Sequence, residues 1–138
     1  MRLLVSALAL LACTVTAALP YSEEPLPQIV LRGGEGQAVA DSGVVLLLTK
    51  VDDQRCPAGV DCYWEGMIRA EITVMPPKGE LAQIVLCNLC EDGERSATVA
   101  GLTLTLMGLA PSTEELAKHA RPPILTDYAL TVAYQPAD

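Results

Sequence analysis

The chain has 138 residues, of which nine are Lys or Arg and 17 are Asp or Glu, so its formal net charge is −8 at pH 7. This acidic balance argues against binding nucleic acid or anionic lipid through charge, because such partners need a basic surface. If an export signal at the N-terminus is removed, about 120 residues remain, which suffice for one domain but not for two. Since the chain has no Phe, Leu, Val, Ile and Ala must build most of its core.

Residues 1–18 have the three parts of a secretory signal. Arg2 supplies a positive charge, residues 3–12 an apolar stretch, and residues 14–18 small side chains. The apolar stretch is well below the roughly 20 residues that a membrane-spanning helix needs. We therefore expect export without a transmembrane segment. Three prolines in residues 19–27 predict an extended linker.

Cys13 has two alternative fates. Ordinary signal peptidase cleavage after the small residues at 15–18 discards Cys13 with the signal. Alternatively, residues 10–13 (Leu-Leu-Ala-Cys) resemble a bacterial lipobox, which makes Cys13 the lipidated first residue of a membrane-anchored protein. Leu11 is not the small residue usual just before the alanine, and the signal would be short. These two features favour the soluble form, which is periplasmic or secreted.

Alternation of apolar and polar side chains marks three strands of the mature part. Residues 68–74, 102–106 and 128–134 each place apolar side chains at every second position. A strand with one face on a core and the other in water has this pattern. The β prediction is therefore based on three independent segments.

Other strands are predicted from composition and turn signals. Residues 28–32 fit an edge strand, and the continuous apolar run at 44–48 fits a central strand that is covered on both faces. Residues 81–86 and 95–100 flank the Asp-Gly dipeptide at 92–93. That dipeptide favours a tight hairpin, because glycine tolerates positive φ.

One short helix is predicted near the C-terminal end. Ser112 and Glu115 have the spacing of a capping box, and the prolines at 122–123 prevent further turns. The other predicted elements are strands separated by turn residues, which points to antiparallel pairing. We therefore predict an all-β, antiparallel β-sandwich or small barrel of about seven strands, with one short helix, over residues 28–138.

Four cysteines follow the signal, namely Cys56, Cys62, Cys87 and Cys90. An even number in an exported chain indicates disulfides, and of the three connectivities we favour Cys56 with Cys62 and Cys87 with Cys90, because the chain holds each pair close. Closing loops this short contributes about 2 kcal/mol each. Positions three apart on a strand point to opposite faces, so the second pair requires the chain to turn at residues 88–89.

Two segments carry a family resemblance. Residues 53–66 read Asp-Gln-Arg-Cys-Pro-Ala-Gly-Val-Asp-Cys-Tyr-Trp-Glu-Gly, and residues 127–132 read Asp-Tyr-Ala-Leu-Thr-Val. They resemble the D-x-R-C-P-x-G-V-x-C-x-W-x-G and D-Y-x-x-T-x motifs of a family of small bacterial exported proteins and lipoproteins, and the first motif is the specific one. The resemblance implies a compact β domain with a structural bridge between Cys56 and Cys62, and it assigns no catalytic residue.

The first motif is also the candidate binding site. Pro57 and Gly59 bend the loop that the bridge closes, and the Trp64 ring can pack against the sulfur atoms or the core. Arg55 is expected to pair with Asp53 or Asp61. The loop is either a purely structural stapled turn or an exposed recognition loop. In the second interpretation its candidate residues are Arg55, Pro57, Gly59, Tyr63 and Trp64.

Three kinds of chemistry compete with binding. The four cysteines fit a zinc cage poorly, because the first spacing is wider than usual and an oxidising compartment competes for the thiolates. The Cys87-x-x-Cys90 spacing matches thiol oxidoreductases, but the predicted pair follows a strand and lacks an activating helix N-terminus. His119 is the single histidine, and no G-x-S-x-G elbow accompanies it.

The predicted function is therefore a non-enzymatic binding or structural role in the cell envelope. The expected partner is an unknown protein or a small ligand, with no nucleic acid, cofactor or metal. The alternative is a thiol-redox or metal-handling protein that uses Cys87 and Cys90. The oligomeric state and the sheet order do not follow from the sequence.

Overall fold

The computed structural model describes residues 24–138, so the predicted signal, Cys13 and the first part of the predicted linker lie outside the described residues. Within this range no helix is long and apolar enough to cross a membrane. The strands are β1 (Gln28–Arg32), β2 (Gly36–Ala38), β3 (Val45–Asp53), β4 (Ile68–Met75), β5 (Ala82–Asn88), β6 (Ser96–Val99), β7 (Leu102–Ala110) and β8 (Ala129–Pro136). Between β7 and β8 lie a single helical turn, α1 (Thr113–Leu116), and a 3₁₀ turn (Leu125–Asp127).

The strands form two four-stranded antiparallel sheets. Sheet I has the order β1-β8-β7-β6, and sheet II has the order β2-β3-β4-β5. The connections from β1 to β2 and from β5 to β6 carry the chain from one sheet to the other, whereas all other consecutive strands are neighbours. The predicted all-β sandwich is confirmed, with eight strands where about seven were expected.

Inward-facing apolar side chains form the core between the sheets. In β4, Ile68, Ala70, Ile72 and Val74 are buried and the residues between them are half-buried, which is the predicted alternation. The core elsewhere is also built from Leu, Val and Ile. No polar or charged residue is fully buried in residues 24–138. The hydrophobic effect of this apolar interior therefore holds the two sheets together.

The predicted hairpin at residues 92–93 is wrong. Strand β5 pairs with β4 and β6 pairs with β7, so the two strands that flank this dipeptide belong to different sheets. Gly93 does not have positive φ. A Cβ atom there would lie 2.8 Å from the Cβ of Cys87 and 3.0 Å from the Cβ of Cys90. Gly93 is thus required by close packing on the second disulfide and not by a tight turn.

The apolar run at 44–48 is central in sheet II, but only one of its faces is covered. Leu46 and Leu48 are fully buried, whereas Val45 and Leu47 are half-buried. The prediction of two covered faces is wrong, because a two-layer sandwich leaves the outer face of each sheet towards water. Residues 28–32 form an edge strand of sheet I, as predicted.

The predicted capping box is present at the start of α1. The Glu115 backbone N–H donates to Ser112 Oγ at 3.2 Å, and the Ser112 N–H donates to Glu115 Oε2 at 2.8 Å. The hydrogen bond from the Ser112 backbone lowers the pKa of the Glu115 carboxyl. The helix ends at Leu116 after one turn, which is shorter than the proline signal at 122–123 allows.

Candidate functional site

The 54–67 loop, which joins β3 to β4, lies at one end of the sandwich. Because neighbouring strands are antiparallel, β5 also ends there. Hydrogen bonds from Arg55 to the Leu109 and Pro111 carbonyls place the end of β7 there too, and β8 begins opposite that end of β7. The turn after β5 and the connection from β7 to β8 therefore lie beside this loop. The first motif forms this loop, and the second motif begins at this end and continues into β8.

Backbone contacts and one glycine close the base of the 54–67 loop. The Gln54 N–H donates to the Met67 carbonyl at 2.9 Å, and the Cys56 N–H donates to the Glu65 carbonyl at 3.4 Å. Gly66 has a φ of 81°, and a Cβ there would collide with the Gln54 carbonyl oxygen. Only glycine fits, both for its backbone conformation and for the close approach of the two loop ends.

The tip of the loop is closed by a disulfide between Cys56 and Cys62, whose Cα atoms are 5.9 Å apart. Within it, the Val60 N–H donates to the Pro57 carbonyl at 3.3 Å, and Gly59 has a φ of 76°. A turn with proline near its start and glycine at the positive-φ position is common. The predicted bend at Pro57 and Gly59 is confirmed.

Arg55 points inward and not towards a partner. Its Nε and Nη2 donate to the two carboxylate oxygens of Asp53 at 2.8 and 2.7 Å. Its Nη1 donates to the Leu109 carbonyl at 3.0 Å, and its Nη2 also donates to the Pro111 carbonyl at 2.8 Å. Asp53 belongs to sheet II and Leu109 to sheet I, so Arg55 links the two sheets.

The second motif meets the first at this ion pair. Tyr128, the residue just before β8, is 7% exposed. It lies beside Asp53, and both residues line one cavity. Burial raises the pKa of Asp53, but the hydrogen bonds and positive charge of Arg55 outweigh it, so that the net pKa is lowered. Burial, and then the charge of Asp53, raise the pKa of Tyr128.

The cavity at the ion pair is about 290 Å³ in volume. Its lining consists of Asp53, Arg55, Pro57, Ala58, Thr113, Leu116, Ala117, Pro123 and Tyr128. Arg55 already donates four side-chain hydrogen bonds to protein oxygens, so little of its capacity is left for a ligand. We therefore assign this cavity a mainly structural role.

The second predicted disulfide, between Cys87 and Cys90, is also confirmed, with Cα atoms 5.9 Å apart. The chain turns where the geometry required, because Leu89 has a φ of 59°. Strand β5 ends at Asn88, slightly later than predicted. The Asn88 side chain accepts a hydrogen bond from the Ile68 N–H at 2.7 Å and so fixes the turn to the start of β4.

A groove of about 480 Å³ separates the 54–67 loop from the Cys87–Cys90 turn. Trp64 is 54% exposed and Leu89 is 62% exposed in its lining. Cys90 Sγ contacts Met67 Sδ at 3.5 Å. We call this site the Trp64 groove, and its lining residues are Trp64, Met67, Arg69, Leu89, Cys90, Glu91 and Asp92.

The five candidate loop residues therefore divide between different surfaces. Arg55 and Pro57 line the cavity at the ion pair, Gly59 forms the turn, Tyr63 is fully exposed, and Trp64 lines the groove. Trp64 does not pack into the core, contrary to one of the two placements expected for it.

The sequence did not identify Leu89, Met67, Glu91 or Asp92 as site residues. The required turn at 88–89 was a partial signal, since a turn between two bridged cysteines exposes its tip. That this tip lies beside Trp64 depends on the β4–β5 register, in which Ile68 is opposite Asn88.

Comparison of the chain with protein-family models, with curated proteins and with solved structures gives no match. Among the residues that the structure describes, no three His, Cys, Asp or Glu side chains are close enough to bind one metal ion. The two disulfides are typical of an oxidising, extracellular environment.

Proposed function

We propose that this protein is an exported, non-enzymatic binding module of the cell envelope and that it holds its partner in the Trp64 groove. The observation that carries the proposal is the side-by-side exposure of Trp64, two residues after the Cys56–Cys62 bridge, and Leu89, inside the Cys87–Cys90 turn. An exposed apolar patch often marks an interaction site, and tryptophan is enriched among the residues that dominate binding energy.

The rigidity of both turns supports this role. The 54–67 loop is held by its disulfide, by the backbone bonds at its base and by the inward ion pair of Arg55. The neighbouring turn is held by the second disulfide and by the Asn88 side chain. A surface that is already ordered loses less conformational entropy on binding, and more of its contact free energy remains as affinity.

Export is supported by three independent features. Residues 1–18 have the layout of a secretory signal, both cysteine pairs are bridged, and the first motif resembles that of exported bacterial proteins. Structural use of the cysteines fits this picture better than redox exchange. Cys87 is 1% exposed and lies within strand β5, away from any helix N-terminus of the described residues that would activate it.

The experiment that tests the proposal uses the mature protein with a photo-reactive benzoylphenylalanine at position 63. Tyr63 is fully exposed and adjacent to Trp64, so the probe lies beside the groove without filling it. The envelope protein or ligand that is cross-linked is identified by mass spectrometry, purified and titrated against the unlabelled protein by calorimetry.

Trp64→Ala is expected to lower the affinity by about tenfold or more, which is usual for a central aromatic anchor. The matched control is Leu81→Ala, because Leu81 is 68% exposed but lies on the β4–β5 connection at the opposite end of the sandwich. Equal affinities for Trp64→Ala and the unchanged protein would contradict the proposal.

A further inference from the structure

We infer that the partner of the Trp64 groove is a polypeptide segment in which apolar side chains alternate with lysine or arginine. This inference rests on the proposed function and adds the chemical class of the partner. It follows from three properties of the groove, namely its apolar lining, the charges around it and the continuation of exposed apolar surface beyond it.

The lining can accept apolar side chains. Trp64 and Leu89 are more than half exposed, and Met67 lies between the loop base and Cys90. A methionine with three rotatable bonds adapts to different apolar groups. A volume of about 480 Å³ admits one or two side chains of a partner but not a folded domain.

The charge around the groove is negative. Glu91 and Asp92 line it and are exposed, and Glu65, next to Trp64, is exposed as well. The single basic residue in the lining, Arg69, is directly opposite Asp52 in the β3–β4 register. Asp52 accepts a hydrogen bond from Gln54 Nε2 at 3.0 Å, so the register alone does not pair it with Arg69. Glu91 and Asp92 outnumber Arg69 in the lining, which therefore keeps a net negative charge for lysine or arginine of a partner.

Exposed apolar surface continues along the 54–67 loop beyond the groove. Tyr63 is fully exposed and Val60 is 56% exposed. A small ligand confined to the groove would leave both side chains in water, whereas an extended polypeptide can cover them.

A second copy of this chain is a poorer occupant. It carries the same formal net charge of −8, and like charges across an interface oppose association.

The test is a titration of the mature protein with two synthetic peptides of equal length, one alternating lysine and leucine and the other alternating glutamate and leucine. Trp64 is the single tryptophan of the chain, so its intrinsic fluorescence reports on the groove directly. The lysine peptide is expected to shift the emission to shorter wavelength and to bind at least about tenfold more tightly than the glutamate peptide. Raising the salt concentration about tenfold should weaken that binding.

A matched pair of double variants separates the groove from general acidity. Glu91→Gln with Asp92→Asn removes two charges at the groove, and Asp41→Asn with Glu80→Gln removes two exposed charges at the opposite end. The first pair should weaken lysine-peptide binding severalfold, and the second should leave it unchanged. Equal effects of the two pairs, or equal binding of the two peptides, would overturn the inference.

The proposed function is tested separately, by whether the partner captured at position 63 depends on Trp64. If the partner captured at position 63 depends on Trp64 but presents no lysine or arginine to the groove, the proposed function holds and this inference fails. If the captured partner does not depend on Trp64, the proposed function itself fails.

Discussion

Arg55 forms a two-point ion pair with Asp53 at the end of the sandwich that carries the Trp64 groove, and its guanidinium links this end of β3 to the other sheet. The pair has N–O distances of 2.7 and 2.8 Å, and its side chains are only 18% and 8% exposed. The same guanidinium holds the end of β7 through the Leu109 and Pro111 carbonyls. The most specific motif of the sequence therefore uses its arginine to hold the sandwich together and leaves Tyr63 and Trp64 exposed.

Arg55→Ala should lower the free energy of unfolding by about 3 kcal/mol, because it leaves the Asp53 carboxylate largely buried without its partner. The control is Lys50→Ala, which removes an exposed pair with Glu71 at 3.1 Å and should cost less than about 1 kcal/mol. Urea unfolding followed by circular dichroism measures both. A loss for Arg55→Ala no larger than that for Lys50→Ala would show that the link between the sheets contributes little.

Gly66→Ala and Gly59→Ala compare two glycines of similar conformation, with φ of 81° and 76°. A Cβ at Gly59 meets open space, so that variant should lose only about 1 kcal/mol from the positive φ. At Gly66 the Cβ also collides with the Gln54 backbone, and the loss should be at least about 2 kcal/mol greater. Thermal and urea unfolding measure the difference. Similar losses of unfolding free energy in the two variants would mean that Gly66 is not packed closely against Gln54.

Acid should destabilise the protein through Asp127. The hydrogen bonds from Arg121, followed by the bond from the Ile124 N–H, lower the pKa of Asp127 from 3.8 to about 2. A carboxyl whose folded pKa is depressed stabilises the fold fully above its unfolded value, and this stabilisation is lost as the pH falls through the folded value. The contribution should therefore fade between pH 3.8 and about 2.

Urea titrations at several pH values test this dependence. Asp127→Asn should flatten the decline of the unfolding free energy in that range. A decline of the same size in this variant would assign the acid sensitivity to other carboxyl groups, among which Asp53 also has a lowered pKa.

Cys87→Ser with Cys90→Ser should leave the β-sandwich folded, because closing so short a loop contributes about 2 kcal/mol. It should nevertheless weaken partner binding, since Leu89 has a φ of 59° that the bridge helps to maintain. Circular dichroism measures the fold and calorimetry the affinity. Thiol titration of the unmodified protein should find both cysteine pairs oxidised, and free thiols there would favour the thiol-redox alternative.

The alternation in residues 68–74, 102–106 and 128–134 was sufficient to predict the all-β class, because strand periodicity is a local property. The crossing from β5 to β6 between the two sheets could not be predicted from strand periodicity. Here the Asp-Gly dipeptide lies in a crossing between sheets, which is set by the long-range pairing of β5 with β4 and of β6 with β7.

The candidate site was predicted only in part, because it too depends on long-range strand pairing. The disulfides and the turns at Gly59 and Leu89 follow from local chain geometry. The groove joins Trp64 to a turn some 25 residues later, and the register that brings them together is set by long-range pairing.

Trp64 should be covered when the partner binds. The most direct measurement is the intrinsic fluorescence of this single tryptophan during titration with the partner that is cross-linked at position 63. We predict a saturable shift of the emission to shorter wavelength at the stoichiometry found by calorimetry. Calorimetric binding with no change in the emission of Trp64 would mean that the partner does not occupy the Trp64 groove.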